Sequence, residues 1–295
     1  MAIQQPAAIV ERREVASSQT RLNDRCQIML GDCRMILGGW PKDNVDMVFA
    51  DPPYNLSNGG FTCHAGRAVS VNKGDWDRSR GAIEDFKFHK GWIGLCREAL
   101  KPNGSIWISG TYHSVYSCGF ALQLLGFHIL NEICWLKPNA SPNLSCRCFT
   151  ASHESLIWAR KSKQGRHTFN YAAMKNGRFP KDFIKAPGRQ MRSVWAIAPP
   201  SQSEKRHGKH PTQKPLELLE RIIAAATNPG DLILDPFMGS GTTGIAAVWL
   251  GRRFLGIEKD EAYYALAKAR LEAELQTERL SFFGLKQPAS NCLSE

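Results

Sequence analysis

No apolar run in the 295-residue chain approaches the roughly 18 residues that a membrane-crossing helix needs. The first 20 residues carry charges and lack a signal-peptide core, so a cytoplasmic protein is expected. Paired cysteines at zinc-finger spacing are missing too. Cys146-Arg-Cys148 with His153, and Cys63-His64, have no second pair beside them, and no metal is expected. Of the nine cysteines, Cys96, Cys118 and Cys134 lie inside apolar segments, where a thiol packs as a small hydrophobe. No Gly-Lys-Ser/Thr closes a glycine-rich turn, which excludes a P-loop, and no internal repeat is visible. Acidic residues are scarce in one place: Lys137 to Lys214 holds 16 basic residues against 3 acidic ones, a surplus of +13 that leaves the other 217 residues at −2. Clustered positive charge beside a near-neutral remainder is the footprint of a polyanion binder, most often a nucleic acid.

What is present is the composition of a globular protein, 43% hydrophobic and 22% charged. Strand patterns occur at Cys26 to Leu30, Val45 to Ala50, Ser105 to Ser109, Ile129 to Leu136, Ser155 to Ala159, Leu232 to Asp235 and Phe254 to Glu258. Helical spacing follows Gly31-Asp32-Cys33, recurs at Phe86 to Leu100, Ser114 to Leu125 and Pro215 to Ala226, ends once at Leu250, and runs from Ala262 to about Leu280. This alternation predicts an α/β fold: a Rossmann-like, doubly wound, mostly parallel sheet with helices on both faces. Residues 1–20 read as a flexible arm, 21–280 as one domain and 281–295 as a polar tail. Within the domain, the irregular basic stretch at about 137–209 reads as an insertion on the sheet's ligand edge. Asn55 to Asp77, rich in Gly, Ser and Asn, reads as a mobile loop over the same edge.

Two stretches carry chemistry. The apolar run Val45 to Ala50 ends in Asp51-Pro52-Pro53-Tyr54, which puts an acidic acceptor and an aromatic ring at a strand's carboxyl end, where open α/β sheets bind ligands. A flat amine donor such as a nucleobase could hydrogen-bond to Asp51 and the Pro52 carbonyl while stacking on Tyr54. The same residues would also serve a plain strand-to-loop turn capped by Asp51. The second stretch, Leu232 to Glu258, reads strand, glycine-rich turn, helix, strand, acidic residue, with Gly239, Gly241 and Gly244 spaced G-x-G-x-x-G. Such a unit binds an adenosine-type cofactor, the acidic Glu258 accepting both ribose hydroxyls. A nicotinamide dinucleotide and S-adenosylmethionine share these mechanics. Acidic residues around the pocket (Asp32, Asp51, Asp235) and the lack of Arg or Lys from Leu232 to Leu250 favour the sulfonium cation of S-adenosylmethionine over a pyrophosphate.

Asp51-Pro-Pro-Tyr54, Phe237-x-Gly239-x-Gly241 and His210-Pro-Thr-Gln-Lys-Pro215, in that permuted order, resemble the β-class DNA amino-methyltransferases over about Gln27 to Leu275. Leu56-Ser-Asn-Gly-Gly60, Lys73-Gly-Asp-Trp-Asp77 and Pro142-Asn-Leu-Ser-Cys-Arg147 are similar to the DpnA-type adenine methyltransferases of GATC restriction systems. The resemblance implies methylation of adenine N6 in DNA, with Asp51, Pro52, Pro53 and Tyr54 receiving the base. It places Phe237, Gly239, Gly241 and Thr242 along the cofactor, Asp235 and Lys214 near its methionine part, Glu258 at the ribose and Asp32 near the adenine ring, with Cys33 and Lys259 as further cofactor-binding candidates. Lys73, Trp76, Asn143, Arg147, Arg178, Arg189 and Arg192 are the candidate DNA contacts. Relatives acting on cytosine N4, the main alternative, more often carry Ser at the Asp51 position. Methylation at cytosine carbon-5 would need a nucleophilic thiol, which follows Pro in the family that does it, and this chain has no Pro-Cys. More distant alternatives are a non-catalytic DNA-binding protein responsive to S-adenosylmethionine, an RNA target, and a nicotinamide-dependent oxidoreductase. Double-stranded DNA would have to flip out its target base, a cost that a single-stranded substrate avoids. The family also implies a homodimer.

Overall fold

The computed structural model describes residues 18–57, 61–64, 67–70, 74, 77–140, 142–176 and 188–282. In chain order the elements are β1 (Gln19–Arg21), β2 (Cys26–Leu30), α1 (Cys33–Gly38), β3 (Val45–Ala50), β4 (Phe61–His64), β5 (Arg67–Ser70), α2 (Ala82–Ala99), β6 (Leu100–Gly110), α3 (Val115–Leu124), β7 (His128–Leu136), β8 (His153–Arg160), α4 (Tyr171–Asn176), β9 (Val194–Ala196), α5 (Leu216–Ala226), β10 (Leu232–Asp235), α6 (Thr242–Trp249), β11 (Arg253–Glu258) and α7 (Glu261–Phe282). The main sheet has the order β1-β2-β11-β10-β3-β6-β8-β7-β9. Strands β2 through β6 in that order are mutually parallel, whereas β8 runs antiparallel to both its neighbours and β1 runs antiparallel to β2.

Two apolar layers sandwich this sheet, as the alternation predicts. One face packs α5, α6 and α7 through residues such as Leu219, Ile222, Ile223, Ala246 and Leu271. The other packs α1, α2 and α3 through Leu37, Trp92, Ile93, Cys96 and Leu122. Among the buried positions of α5, Leu218, Leu219, Ile222, Ile223 and Ala226 recur at the three-to-four spacing of a helix face turned to the sheet. In β3 only Asp46 escapes full burial, because the strand has neighbours on both edges and helices on both faces.

The winding places the site. Strands β3 and β10 are adjacent, with Met47 opposite Ile233 and Val48 opposite Leu234. From β10 the chain moves through α6 to β11 on one side, and from β3 through α2 to β6 on the other. Connections that leave neighbouring strands in opposite directions open a crevice at their carboxyl ends.

The fold also departs from the sequence reading. The supposed arm ends early, since Gln19 and Thr20 belong to β1, and α7 carries two residues past the proposed tail boundary, to Phe282. Inside the segment read as a mobile loop, β4 and β5 pair as an antiparallel ribbon, where β-branched and aromatic residues (Phe61, Thr62, Val69) favour extended backbone. The basic stretch at 137–209 is not wholly an insertion: it supplies β8 and the edge strand β9 to the main sheet. Aromatic packing draws β9 in, with Trp195 buried 6.1 Å from Trp107, which itself stacks on Trp158 at 4.9 Å. Pro102 to Gly104, read as a turn before a strand, loops out within β6, whose pairing with β3 jumps from Leu100 to Ser105. Among the described residues no helix is long and apolar enough to cross a membrane, and no three His, Cys, Asp or Glu side chains cluster as a metal site would require.

Candidate functional site

The crevice between the ends of β3 and β10 holds a cavity of about 930 Å³, near the upper limit for small-molecule sites and roomy enough for two ligand groups side by side. Asp51, Pro52, Pro53 and Tyr54 line it together with Asp32, Cys33, Lys214, Asp235, Phe237, Gly239, Thr242, Glu258 and Lys259. One expected lining residue is absent. Gly241 turns away from the cavity at the N-cap of α6, in a left-handed conformation where a Cβ would come within 3.2 Å of Ala267 on α7. Its smallness serves helix packing.

Asp32, Asp235 and Glu258 each accept hydrogen bonds from backbone N–H groups around the cavity. Asp32 caps α1, accepting from Arg34 N–H at 2.9 Å, and the Arg34 guanidinium holds its carboxyl below the usual range. Asp235 accepts from Phe237 N–H at 3.0 Å and from the Thr243 hydroxyl at 2.6 Å, which ties the glycine-rich turn to β10. Burial pushes its pKa up to about 7. Glu258 accepts from Gly239 N–H at 2.9 Å and from the N–H groups of Lys259 and Asp260. Burial raises its carboxyl as well. Buried acids whose charged forms are disfavoured gain by the arrival of a cation, so this lining fits S-adenosylmethionine. Gly239 has a φ of 50°, and a Cβ there would meet the His210 ring at 3.1 Å, which ties the turn to the His210-to-Pro215 segment.

On the β3 side the structure gathers a charge network that sequence only half revealed. Lys214 Nζ lies 2.6 Å from Asp51 Oδ2 and 3.5 Å from Glu154 Oε2. Glu154, at the start of β8, is also paired with Lys137, the residue after β7. The Tyr54 hydroxyl lies 2.6 Å from Asp51 Oδ1, 2.9 Å from Glu154 Oε2 and 2.8 Å from Ser109 Oγ. One phenolic proton cannot serve two carboxylates fully, so the acids compete for it. Burial would raise Glu154, but the ammonium groups of Lys214 and Lys137 hold it at about 2. Burial leaves the Asp51 carboxyl raised, although the shared lysine and the Tyr54 hydroxyl oppose the rise. Burial would lower Lys214, but the two carboxylates keep it above the usual lysine value.

Tyr54 is 5% exposed, with Lys214 Nζ 5.0 Å from its ring centre, so its ring is held mostly inside and not displayed as an open platform. Glu154 and Ser109 escaped the sequence reading because each sits in an ordinary strand pattern, and only the β6-β8 pairing brings them to Tyr54. Arg270 escaped it too. This buried α7 residue donates to the Ser240 carbonyl and the Thr242 hydroxyl, bracing the glycine-rich turn from behind.

The described candidate DNA contacts lie apart from the cavity lining. Arg147, Arg189 and Arg192 are exposed, while Asn143 is partly buried and accepts from Ser145 N–H at 2.9 Å. Lys73, Trp76 and Arg178 lie outside the described residues. The basic surplus is not all free for phosphate: Lys137 and Lys214 neutralise the buried acids, Lys161 binds Asp43 at 2.6 Å, and Arg206 pairs with Glu274 at 2.7 Å.

A model of the DNA methylase family, covering N6 and N4 methyltransferases, matches residues 45–269. The chain is 53% identical to Type II methyltransferase M2.DpnII of Streptococcus pneumoniae over 247 residues, 83% of this chain and 89% of that protein. It is 52% identical to Type II methyltransferase M2.LlaDCHI of Lactococcus lactis subsp. cremoris over 230 residues, 78% of this chain and 82% of that protein. Among solved structures, a complex of M1.HpyAVI with SAM matches with a TM-score of 0.60 at 31% identity, covering 83% of this chain and 100% of that one.

Proposed function

We infer that this chain, which belongs to the DNA methylase family, methylates the exocyclic N6 amine of adenine in DNA, using S-adenosylmethionine, as the modification enzyme of a restriction system. The observation that carries this reading is the meeting of Asp51 to Tyr54 with the Gly239 turn in one cavity. The cofactor, when bound, supplies an electrophilic methyl group. Phe237, Gly239, Thr242, Asp235, Glu258 and Lys259, which line the same cavity, would hold it.

Adenine's amine is a poor nucleophile because its lone pair is delocalised into the ring. As it attacked the methyl carbon of a bound cofactor, the N–C bond would form as the S–C bond broke, leaving a neutral thioether, while the nitrogen would become tetrahedral, gain positive charge and then release a proton to water. Asp51 and the Pro52 carbonyl, accepting its two N–H groups, localise that lone pair and stabilise the charge, as preorganised dipoles do at other developing charges. An ionised Asp51 is required for this. Lys214 and the Tyr54 hydroxyl, both hydrogen-bonded to it, favour the ionised form against burial. In duplex DNA the base must leave the stack to reach Asp51, whereas single-stranded DNA would enter at lower cost. The exposed Arg147, Arg189 and Arg192, with Asn143, are proposed DNA contacts within a target-recognition region at about 137–209. The GATC-like target rests on the resemblance of the three segments quoted above. A cytoplasmic location completes the reading.

Nucleoside mass spectrometry of DNA treated with the protein and S-adenosylmethionine is expected to find N6-methyladenine. N4-methylcytosine in its place would overturn the adenine assignment, and long-read sequencing would give the recognition site.

We also propose a homodimer through α3. Tyr112, Tyr116, Phe120 and Leu124 follow one another at four-residue spacing and are 62%, 75%, 54% and 55% exposed. Ile83 of α2, 71% exposed, extends the patch, and Phe86 packs against Phe120 at 5.3 Å. An apolar stripe this continuous is unusual on a monomer's surface. Light scattering is expected to show a dimer for the wild type and a monomer for Phe120→Glu, and a monomeric wild type would refute it.

A further inference from the structure

We propose that Asp77 is a positioning residue of the methyl-transfer reaction, the clamp that sets the backbone turn carrying Asp51 and Pro52; the proposal rests on the function inferred above. Asp77 is 1% exposed and reaches back across 23 residues of sequence to the turn. Its Oδ1 accepts from the N–H groups of Tyr54 and Asn55, both at 2.9 Å. Its Oδ2 accepts from Leu56 N–H at 3.1 Å and from the Ser57 hydroxyl at 2.9 Å. The Ser57 N–H in turn donates to the Asp77 carbonyl at 3.2 Å, so the backbone of Asp77 adds a bond to the last of the four residues that its side chain holds.

A carboxylate offers about four lone-pair sites, and here all four are taken by consecutive residues of one turn. No neutral side chain of that size can match this. The turn needs such a grip. Asn55 sits at a φ of 61°, in the left-handed region that non-glycine residues seldom enter. Pro52 and Pro53 have their φ angles locked by their rings, and Asp51 and Pro52, each preceding a proline, are held extended, so the soft joints begin at the Pro53–Tyr54 link, where the Asp77 bonds begin. Fixing those joints fixes where the Pro52 carbonyl and the Asp51 carboxylate point. Both acceptors must meet the two N–H groups of one flat amine, and a misplacement of about 1 Å can cost on the order of 10² in rate.

Asp77→Asn replaces one accepting oxygen with an NH2 group that faces N–H donors. Single-turnover methyl transfer by this variant is expected to slow about 10²-fold. Binding of S-adenosylmethionine, followed by calorimetry, is expected to keep wild-type stoichiometry and affinity, which shows that the protein remains folded. Ser57→Ala, which removes one donor and spares the three backbone bonds, is expected to stay within threefold of wild type. An Asp77→Asn protein with a wild-type single-turnover rate would overturn the proposal, as would a rate loss matched by lost cofactor-binding stoichiometry. A wild-type protein that transfers no methyl group would instead overturn the underlying function.

Discussion

Asp51→Ala is expected to lower the rate of methyl transfer by about 10²–10³ while leaving S-adenosylmethionine affinity within a few-fold of wild type. The size follows from what the side chain does. An acceptor aimed at a developing positive charge contributes mostly in the transition state, so its loss appears in kcat. Cofactor binding survives because the glycine-rich turn is held by Asp235, Glu258 and Arg270, whose hydrogen bonds to that turn do not involve Asp51. Lys214 also keeps a partner, since Glu154 lies 3.5 Å away. Asp51→Asn, which preserves shape and one accepting oxygen without the charge, is expected to fall between the two. A tritiated-methyl assay reads the result, and near-normal turnover by Asp51→Ala would remove the residue from the mechanism.

Lys214→Met is expected to destabilise the protein, and to do so more as pH rises. The ammonium is 7% exposed and serves two carboxylates, Asp51 at 2.6 Å and Glu154 at 3.5 Å. Removing one partner of a buried pair leaves an uncompensated charge, at a cost of about 3 kcal/mol or somewhat more. For a chain of this size that is roughly 10 °C in Tm. The sign of the pH dependence follows from Asp51. Burial already raises its carboxyl with Lys214 in place, and without the lysine it rises further. A carboxyl whose folded pKa exceeds the unfolded value of about 3.9 binds its proton more tightly when folded, so stability declines as pH rises between those values. The Tm deficit of the variant against wild type should therefore be small near pH 5 and large near pH 8. Equal deficits at both pH values, measured by thermal denaturation, would mean that Lys214 acts by packing and not by charge. Loss of methyl transfer should accompany the change, because the network orders both Asp51 and Tyr54.

Much of the site was legible in sequence because its parts are local. Asp51 to Tyr54 and the Gly239 turn each lie at the end of one apolar run, and a strand end followed by glycine or proline is a short-range pattern. Glu154, Ser109, Asp77 and Arg270 were not legible. Each is a polar residue in an ordinary strand, loop or helix, and each matters through a partner from 20 to 100 residues away. Lys137 and Lys214 were misread in part for the same reason. In the sequence they belong to a basic surplus that suggests phosphate, whereas in the fold they balance two buried acids.

The sequence by itself determined the α/β alternation, the two motifs with their chemistries, and the concentration of positive charge between them. Tertiary structure alone decided that β3 and β10 lie side by side, that β8 and β9 join the main sheet, and which charges meet behind Asp51. The physical reason is that periodicity reports which side of one element is buried, whereas the partner of each strand is chosen by crossovers that bury apolar area across the whole sheet.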